Sequence, residues 1–98
     1  MPFYNKNKSY SFNMDITTSL VALSSFTASE VLIINKSGQD VYIYDNGSAA
    51  DDRRLLLQDS ESIVLRGITN TSEVSAKTAA LSGKVYFRSA YFSNFNQF

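Results

Sequence analysis

Along most of the chain the apolar residues recur at every second position, and no other feature constrains the fold as tightly. In "YSFNMDI", Tyr10, Phe12, Met14 and Ile16 alternate with Ser11, Asn13 and Asp15, the pattern of a strand with one face buried. "SLVAL" is a second short apolar run. "EVLIINKSGQDVYIYD" reads as a hairpin, two β-rich runs around "NKSGQD", whose Asn, Gly and Asp supply the backbone angles of a turn. In its second arm Val41 and Ile43 point one way and Tyr42 and Tyr44 the other, which predicts a strand covered on both sides. "RRLLLQ", "SIVLRGI", "EVSAK" and "KVYFRSAYF" follow, with turn signals about every eight to twelve residues. The pattern predicts one all-β domain over residues 1–98: an antiparallel β-sandwich or small barrel of about seven strands, with extended terminal arms over 1–9 and 93–98.

Two stretches fit more than one element. "SAADDRRLLLQ" has a serine N-cap with an aspartate three residues later, so it reads as a helical turn or as coil. "TSEVSAKTAALSG" has a cap at Thr71 or Ser72 and a glycine stop at Gly83. The alternative, a strand at "EVSAK" followed by a loop, suits its surroundings better.

Composition narrows the chemistry. Nine acids balance nine bases, and the chain has no histidine and no cysteine. Zero formal charge speaks against a nucleic-acid binder, which must neutralise phosphates. Without cysteine there are no disulfides, thiolate metal sites or cysteine nucleophiles, and a chain this small without disulfides suits assembly in a reducing cytoplasm. No apolar run is long enough to span a bilayer, and no signal peptide is expected. The acceptor-like triplets at Asn35, Asn46 and Asn70 read as turn residues.

Without His or Cys, a catalytic set would need paired carboxylates or Ser with Lys. No such set, phosphate loop or nucleophile elbow is present, so the chain is expected not to be an enzyme and to carry no cofactor. The one dense acidic group is Asp45, Asp51 and Asp52, beside Asn46 and Ser48. Its oxygens suit calcium, but the spacing does not match an EF-hand loop, and a solvated loop paired with Arg53 and Arg54 is the simpler reading. Glu61 and Glu73 are expected as charges at strand starts. Arg66 and Arg88 are expected to stack on a ring or to pair with a carboxylate across the sheet.

The two ends are where the sequence departs from an ordinary small β domain. Of thirteen aromatic residues, ten lie near the termini: Phe3, Tyr4, Tyr10, Phe12, Tyr86, Phe87, Tyr91, Phe92, Phe95 and Phe98. Residues 84–92 alternate as a core strand would. "SNFNQF" does not, and exposed rings there would favour aggregation of a free monomer. Either the ends complete the protein's own core, or they insert into neighbouring subunits by strand addition. Phe3, Tyr4, Phe95 and Phe98 are therefore the expected partner interface, and a homo-oligomer is the expected state. Ring stacking of single strands lacks a basic track here, whereas sugar binding tolerates neutrality.

The run "VLIINKSGQDVYIYDNGS … LLLQDSESIVLRGITNTSEVSAKTAALSGKVYFRSAYFS" resembles small accessory virion proteins of tailed bacteriophages, over about residues 31–93. The resemblance implies a non-enzymatic β-sandwich that decorates or cements the capsid, or sits in the neck, tail or fibre. Its partners would be the major capsid protein or other virion proteins, with no nucleic acid and no membrane. It would be assembled in the host cytoplasm and carried in the virion. A small carbohydrate- or oligonucleotide-binding module is the alternative from another class.

Overall fold

The computed structural model describes residues 5–45 and 54–94 of the 98. Its strands are β1 (Asn5–Ile16), β2 (Val21–Ala22), β3 (Glu30–Asn35), β4 (Val41–Tyr44), β5 (Leu55–Leu57), β6 (Ser62–Arg66), β7 (Ser75–Thr78) and β8 (Gly83–Asn94). They form two four-stranded antiparallel sheets, ordered β1-β8-β3-β6 and β2-β7-β4-β5. The pairs nest: β1 with β8, β2 with β7, β3 with β6 and β4 with β5, alternating between the sheets. The chain is thus one long hairpin folded over itself, the connectivity of a jelly roll.

Period-two alternation places the core. Val31 and Ile33 of β3 and Val85 and Phe87 of β8 point inward, as do Val41 and Ile43 of β4 and Ala76 of β7. With Ile16, Leu57 and residues of the connecting segments they make one buried cluster drawn from both sheets. Phe12 and Met14 pack against it while Ser11, Asn13 and Asp15 stay exposed, so the alternation read in "YSFNMDI" holds. The outer face of β4 is also covered. The Arg54 guanidinium lies 3.8 Å from the centroid of the Tyr42 ring, Lys77 lies 5.7 Å from that of Tyr44, and Tyr44 is buried.

The expected hairpin of "EVLIINKSGQDVYIYD" does not form. β3 pairs with β6 and β8, and β4 with β5 and β7, so "NKSGQD" carries the chain from one sheet to the other. The reason lies in Asn35, which is fully buried. Its Nδ2 donates to the carbonyls of Gln39 (2.7 Å) and Leu57 (2.8 Å), and its Oδ1 accepts from the backbone N–H (2.9 Å) and hydroxyl (2.6 Å) of Ser37. Gly38, at φ +82°, completes the corner and donates its N–H to Asp59 Oδ1 at 2.8 Å. The Gln39 side chain then holds the 80–81 segment, accepting from the N–H groups of Ala80 (2.9 Å) and Leu81 (3.0 Å).

The strand readings of "EVSAK" and "RRLLLQ" hold with shifted bounds. The cap near residue 71 is Asn70, which starts a single 3-10 turn (Thr71–Glu73), and "EVSAK" becomes a strand only from Ser75. Gly83 opens β8, and it lies so close to the corner that an added Cβ would sit 2.5 Å from the Cβ of Ser37. In "SAADDRRLLLQ", Leu55–Leu57 is a strand and residues 48–53 lie outside the described residues. Of the three acceptor-like asparagines, Asn35 is buried and Asn70 caps a turn, both structural.

Candidate functional site

The four residues expected at the interface, Phe3, Tyr4, Phe95 and Phe98, lie outside the described residues. What leads up to them is described. β1 and β8 pair without interruption from Ile16↔Gly83 to Asn5↔Asn94. The β3–β8 ladder stops at Glu30↔Ala90, and Ser29 N–H to Ala90 O (2.8 Å) is the last tie beyond it. Residues 5–8 and 91–94 therefore run past the sheet as a two-stranded ribbon of four residue pairs, about 13 Å long.

Of the expected arms over 1–9 and 93–98, residues 1–4 and 95–98 lie outside the described residues. Residues 5–9, Ser93 and Asn94 belong to the β1–β8 ladder, each pairing with a residue of the other strand. In the sequence, Tyr4 precedes Asn5 and Phe95 follows Asn94. Among the described residues, the outer edge of β1 and the β3-facing edge of β8 at 91–94 have no strand beside them.

At the base of the ribbon the rings form a ladder. Phe12 stands opposite Phe87 in the register and stacks on it at 5.1 Å. Phe26 packs on Phe12 at 4.9 Å, and Tyr10 on Phe26 at 5.3 Å with 22° between the rings. The series runs from Phe87, inside the core, to Tyr10, which is 45% exposed. Each such pair contributes about 1 kcal/mol beyond its buried area. Past Tyr10 lies an open groove of about 530 Å³, lined among the described residues by Tyr10, Ser25, Phe26, Thr27 and Tyr91.

The wall carrying Phe26 is fixed from behind. Thr71 is buried, and its hydroxyl donates to the carbonyl of Ser24 and accepts from the N–H of Phe26 at 2.8 Å. The Thr71 N–H donates to Phe26 O at 2.9 Å, and Ala28 N–H to Thr69 O at 3.2 Å. Asn70 accepts the Ser25 hydroxyl at 3.1 Å. Glu73 closes the 3-10 turn by accepting from the hydroxyl and N–H of Thr69 and from the N–H of Asn70. These donors, the Thr69 hydroxyl foremost, hold its carboxyl below the usual glutamate range. Glu73 is thus a capping residue, where an edge charge was expected.

The remaining candidates separate. Glu61 lies before β6 and accepts the Gln58 N–H at 2.7 Å, holding a turn. Arg66 pairs with Glu30 across β3 and β6 at 3.3 Å, as expected, on the exposed face. Arg88 donates to the Ser9 hydroxyl at 2.8 Å. Asp45 follows β4, whereas Asp51 and Asp52 lie outside the described residues. Among the described residues no three acidic groups come together to hold a metal ion. Phe26, which sequence reasoning did not single out, joins the rings of β1 to the groove. No protein-family model matches the chain, and no curated protein is significantly similar to it.

Proposed function

We propose that this chain is a non-enzymatic structural subunit of a tailed-phage virion, a jelly-roll sandwich that decorates or cements the capsid. The reading rests on one observation above the rest: the paired ribbon of residues 5–8 and 91–94 that leaves the sheet. A two-stranded ribbon buries little of its own surface and is marginal alone. Its edges present backbone donors and acceptors to a strand of another chain, and the rings beyond it supply large buried area at low entropy cost. Partner binding at this end, by other copies and by the major capsid protein, accounts for both features.

The fold order agrees with that reading, since jelly rolls recur in capsid subunits, although they recur in sugar-binding domains as well. In this reading the subunit is made in the host cytoplasm and ends in the particle. The same ribbon serves a head, neck, tail or fibre position, and the density of an intact virion separates them.

The test is a binding experiment with purified capsids that lack the subunit. The full chain is expected to saturate them at a fixed ratio to the major capsid protein. A chain lacking residues 95–98, which keeps the Asn5↔Asn94 pair, is expected to fold normally and lose most of that binding. Full binding by the shortened chain removes the terminal rings from the interface, and no binding by the intact chain removes the capsid reading.

A further inference from the structure

The edge strand β6 presents a pattern of backbone groups that selects its partner. It lies at the side of its sheet away from β1, with β3 as its neighbour among the described residues. Two bonds fix which of its backbone groups face β3. Asn35 N–H donates to Glu61 O at 2.9 Å, and Gly67 N–H to Ser29 O at 3.1 Å. In an antiparallel ladder the bonded pairs recur at every second residue. Glu61, Ile63, Leu65 and Gly67 therefore bond toward β3, whereas Ser62, Val64 and Arg66 turn their N–H and C=O groups outward. Val64 is 38% exposed, and the Arg66 side chain 74%.

Such edges are usually guarded by lysine, proline or a bulge. "SIVLR" has no lysine, proline or glycine and keeps an unbroken register with β3. Its one charge, Arg66, is paired with Glu30 at 3.3 Å. Both ends are pinned. Ser60, at φ +71°, donates its N–H to Asn35 O at 2.7 Å, and Gly67, at φ +82°, turns the chain away after Arg66. The edge is thus ordered in the free protein, which saves the cost of ordering it on association.

A second copy of the same strand fits this edge. With a two-fold axis at Val64, antiparallel pairing sets Val64 opposite the partner's Val64 and Ser62 opposite the partner's Arg66. The outward residues then meet as bonded pairs. Ile63, opposite the partner's Leu65, forms an apolar pair on the inner face, where both side chains are only partly buried against the core. Charge agrees as well. Asp59 and Glu61 precede the strand and Arg66 ends it, so each acidic end meets the partner's basic end. Moving the axis to Arg66 opposes two arginines. Moving it to Ser62 opposes Val64 to Ser60, whose positive φ takes it out of the strand.

We infer that β6 is a self-association edge, pairing antiparallel with β6 of a second copy so that the β1-β8-β3-β6 sheets of the two copies become one. The inference does not rest on the virion reading, and the contact lies across the sheet from β1.

The test is sedimentation of the full chain over a range of concentrations, with residue-resolved amide exchange followed by NMR. A reversible monomer–dimer equilibrium is expected, with dimer predominating by about 1 mM. As dimer forms, the amides of Ser62, Val64 and Arg66 are expected to become protected, while those of Ile63 and Leu65 are protected throughout by β3. Val64→Pro deletes an outward N–H at an edge position where proline is tolerated, and is expected to weaken the dimer about tenfold or more. Val64→Lys keeps every backbone donor, sets two like charges at the axis and is expected to weaken it comparably. A chain lacking residues 95–98 is expected to dimerise as before, which separates this contact from one at the ribbon. Monomer alone at about 1 mM, a dimer unaffected by both Val64 variants, a dimer lost with residues 95–98, or dimerisation without protection of Ser62, Val64 and Arg66 each overturn the assignment.

Discussion

The side-chain nitrogen of Asn35 donates 2.8 Å to the carbonyl oxygen of Leu57, tying the last residue of a strand in one sheet to an edge strand of the other. The same side chain satisfies Gln39 and Ser37, so a single buried carboxamide sets the angle at which the chain changes sheets. Removing it takes a donor from the carbonyls of Leu57 and Gln39 and the acceptor from the two Ser37 groups. Asn35→Ala is therefore expected to lower the unfolding free energy by about 3 kcal/mol in a urea titration. Lys36→Ala, at the exposed neighbouring position, is expected to change it little. Equal midpoints for the two variants would show that the corner stands without Asn35.

Thr78 offers the opposite case. Its side chain is buried in β7, and its hydroxyl oxygen has no hydrogen-bond partner. The backbone N–H is satisfied, donating to Thr17 O at 2.8 Å. Thr78→Val keeps the branched shape and removes a desolvated hydroxyl. The variant is expected to gain about 1 kcal/mol, a rise of about 5 °C in the thermal midpoint for a domain of this size. A lower midpoint would mean that the hydroxyl is bonded in solution.

Glu73 makes part of the fold sensitive to acid. Its carboxyl is held below the ordinary glutamate range by the Thr69 hydroxyl and by the N–H groups of Thr69 and Asn70. A depressed pKa in the folded state means that the unfolded chain takes up the proton first as pH falls. The contribution is complete above the unfolded value, about 4.3, and is lost as pH drops through the folded one. The native protein is expected to lose stability more steeply than Glu73→Gln between about pH 5 and pH 3. Denaturant midpoints measured across that range check it, and parallel curves would contradict it.

The strands were legible because their signal is local. Tyr10, Phe12, Met14 and Ile16 sort themselves by alternation, and the same holds for Val85 and Phe87. The corner was not. "NKSGQD" has the residues of a tight turn, but such residues specify only that the chain reverses, not the sheet in which it resumes. That choice is made by Leu57, 22 positions after Asn35. The reach of β8 was hidden for a related reason. Ser93 and Asn94 are polar and break the alternation, yet their pairing needs only the backbone of Asn5 and Lys6. Phe26 was invisible because "SSFTASE" has no period, and its partners Tyr10 and Phe12 lie on another strand. The groove was thus unreadable in the sequence, although two of its three described rings were already noted among the terminal aromatics.

The ribbon's single ladder makes its dynamics a test of its use. Residues 85–90 of β8 have β1 on one side and β3 on the other, whereas residues 91–94 have β1 alone. A ladder with one neighbour opens at a small fraction of the global unfolding cost. In the free protein, the amides of Asn5–Lys8 and Tyr91–Asn94 are expected to exchange with solvent far faster than those of Val31, Ile33 and Phe87. If the ribbon is where partners add, the same amides become protected once the subunit is bound, while those of the core strands change little. Hydrogen exchange read by mass spectrometry on free and particle-bound protein distinguishes the outcomes. Ribbon amides as slow in the free chain as the core, and unchanged on binding, would make the ribbon a part of the fold and move the interface elsewhere.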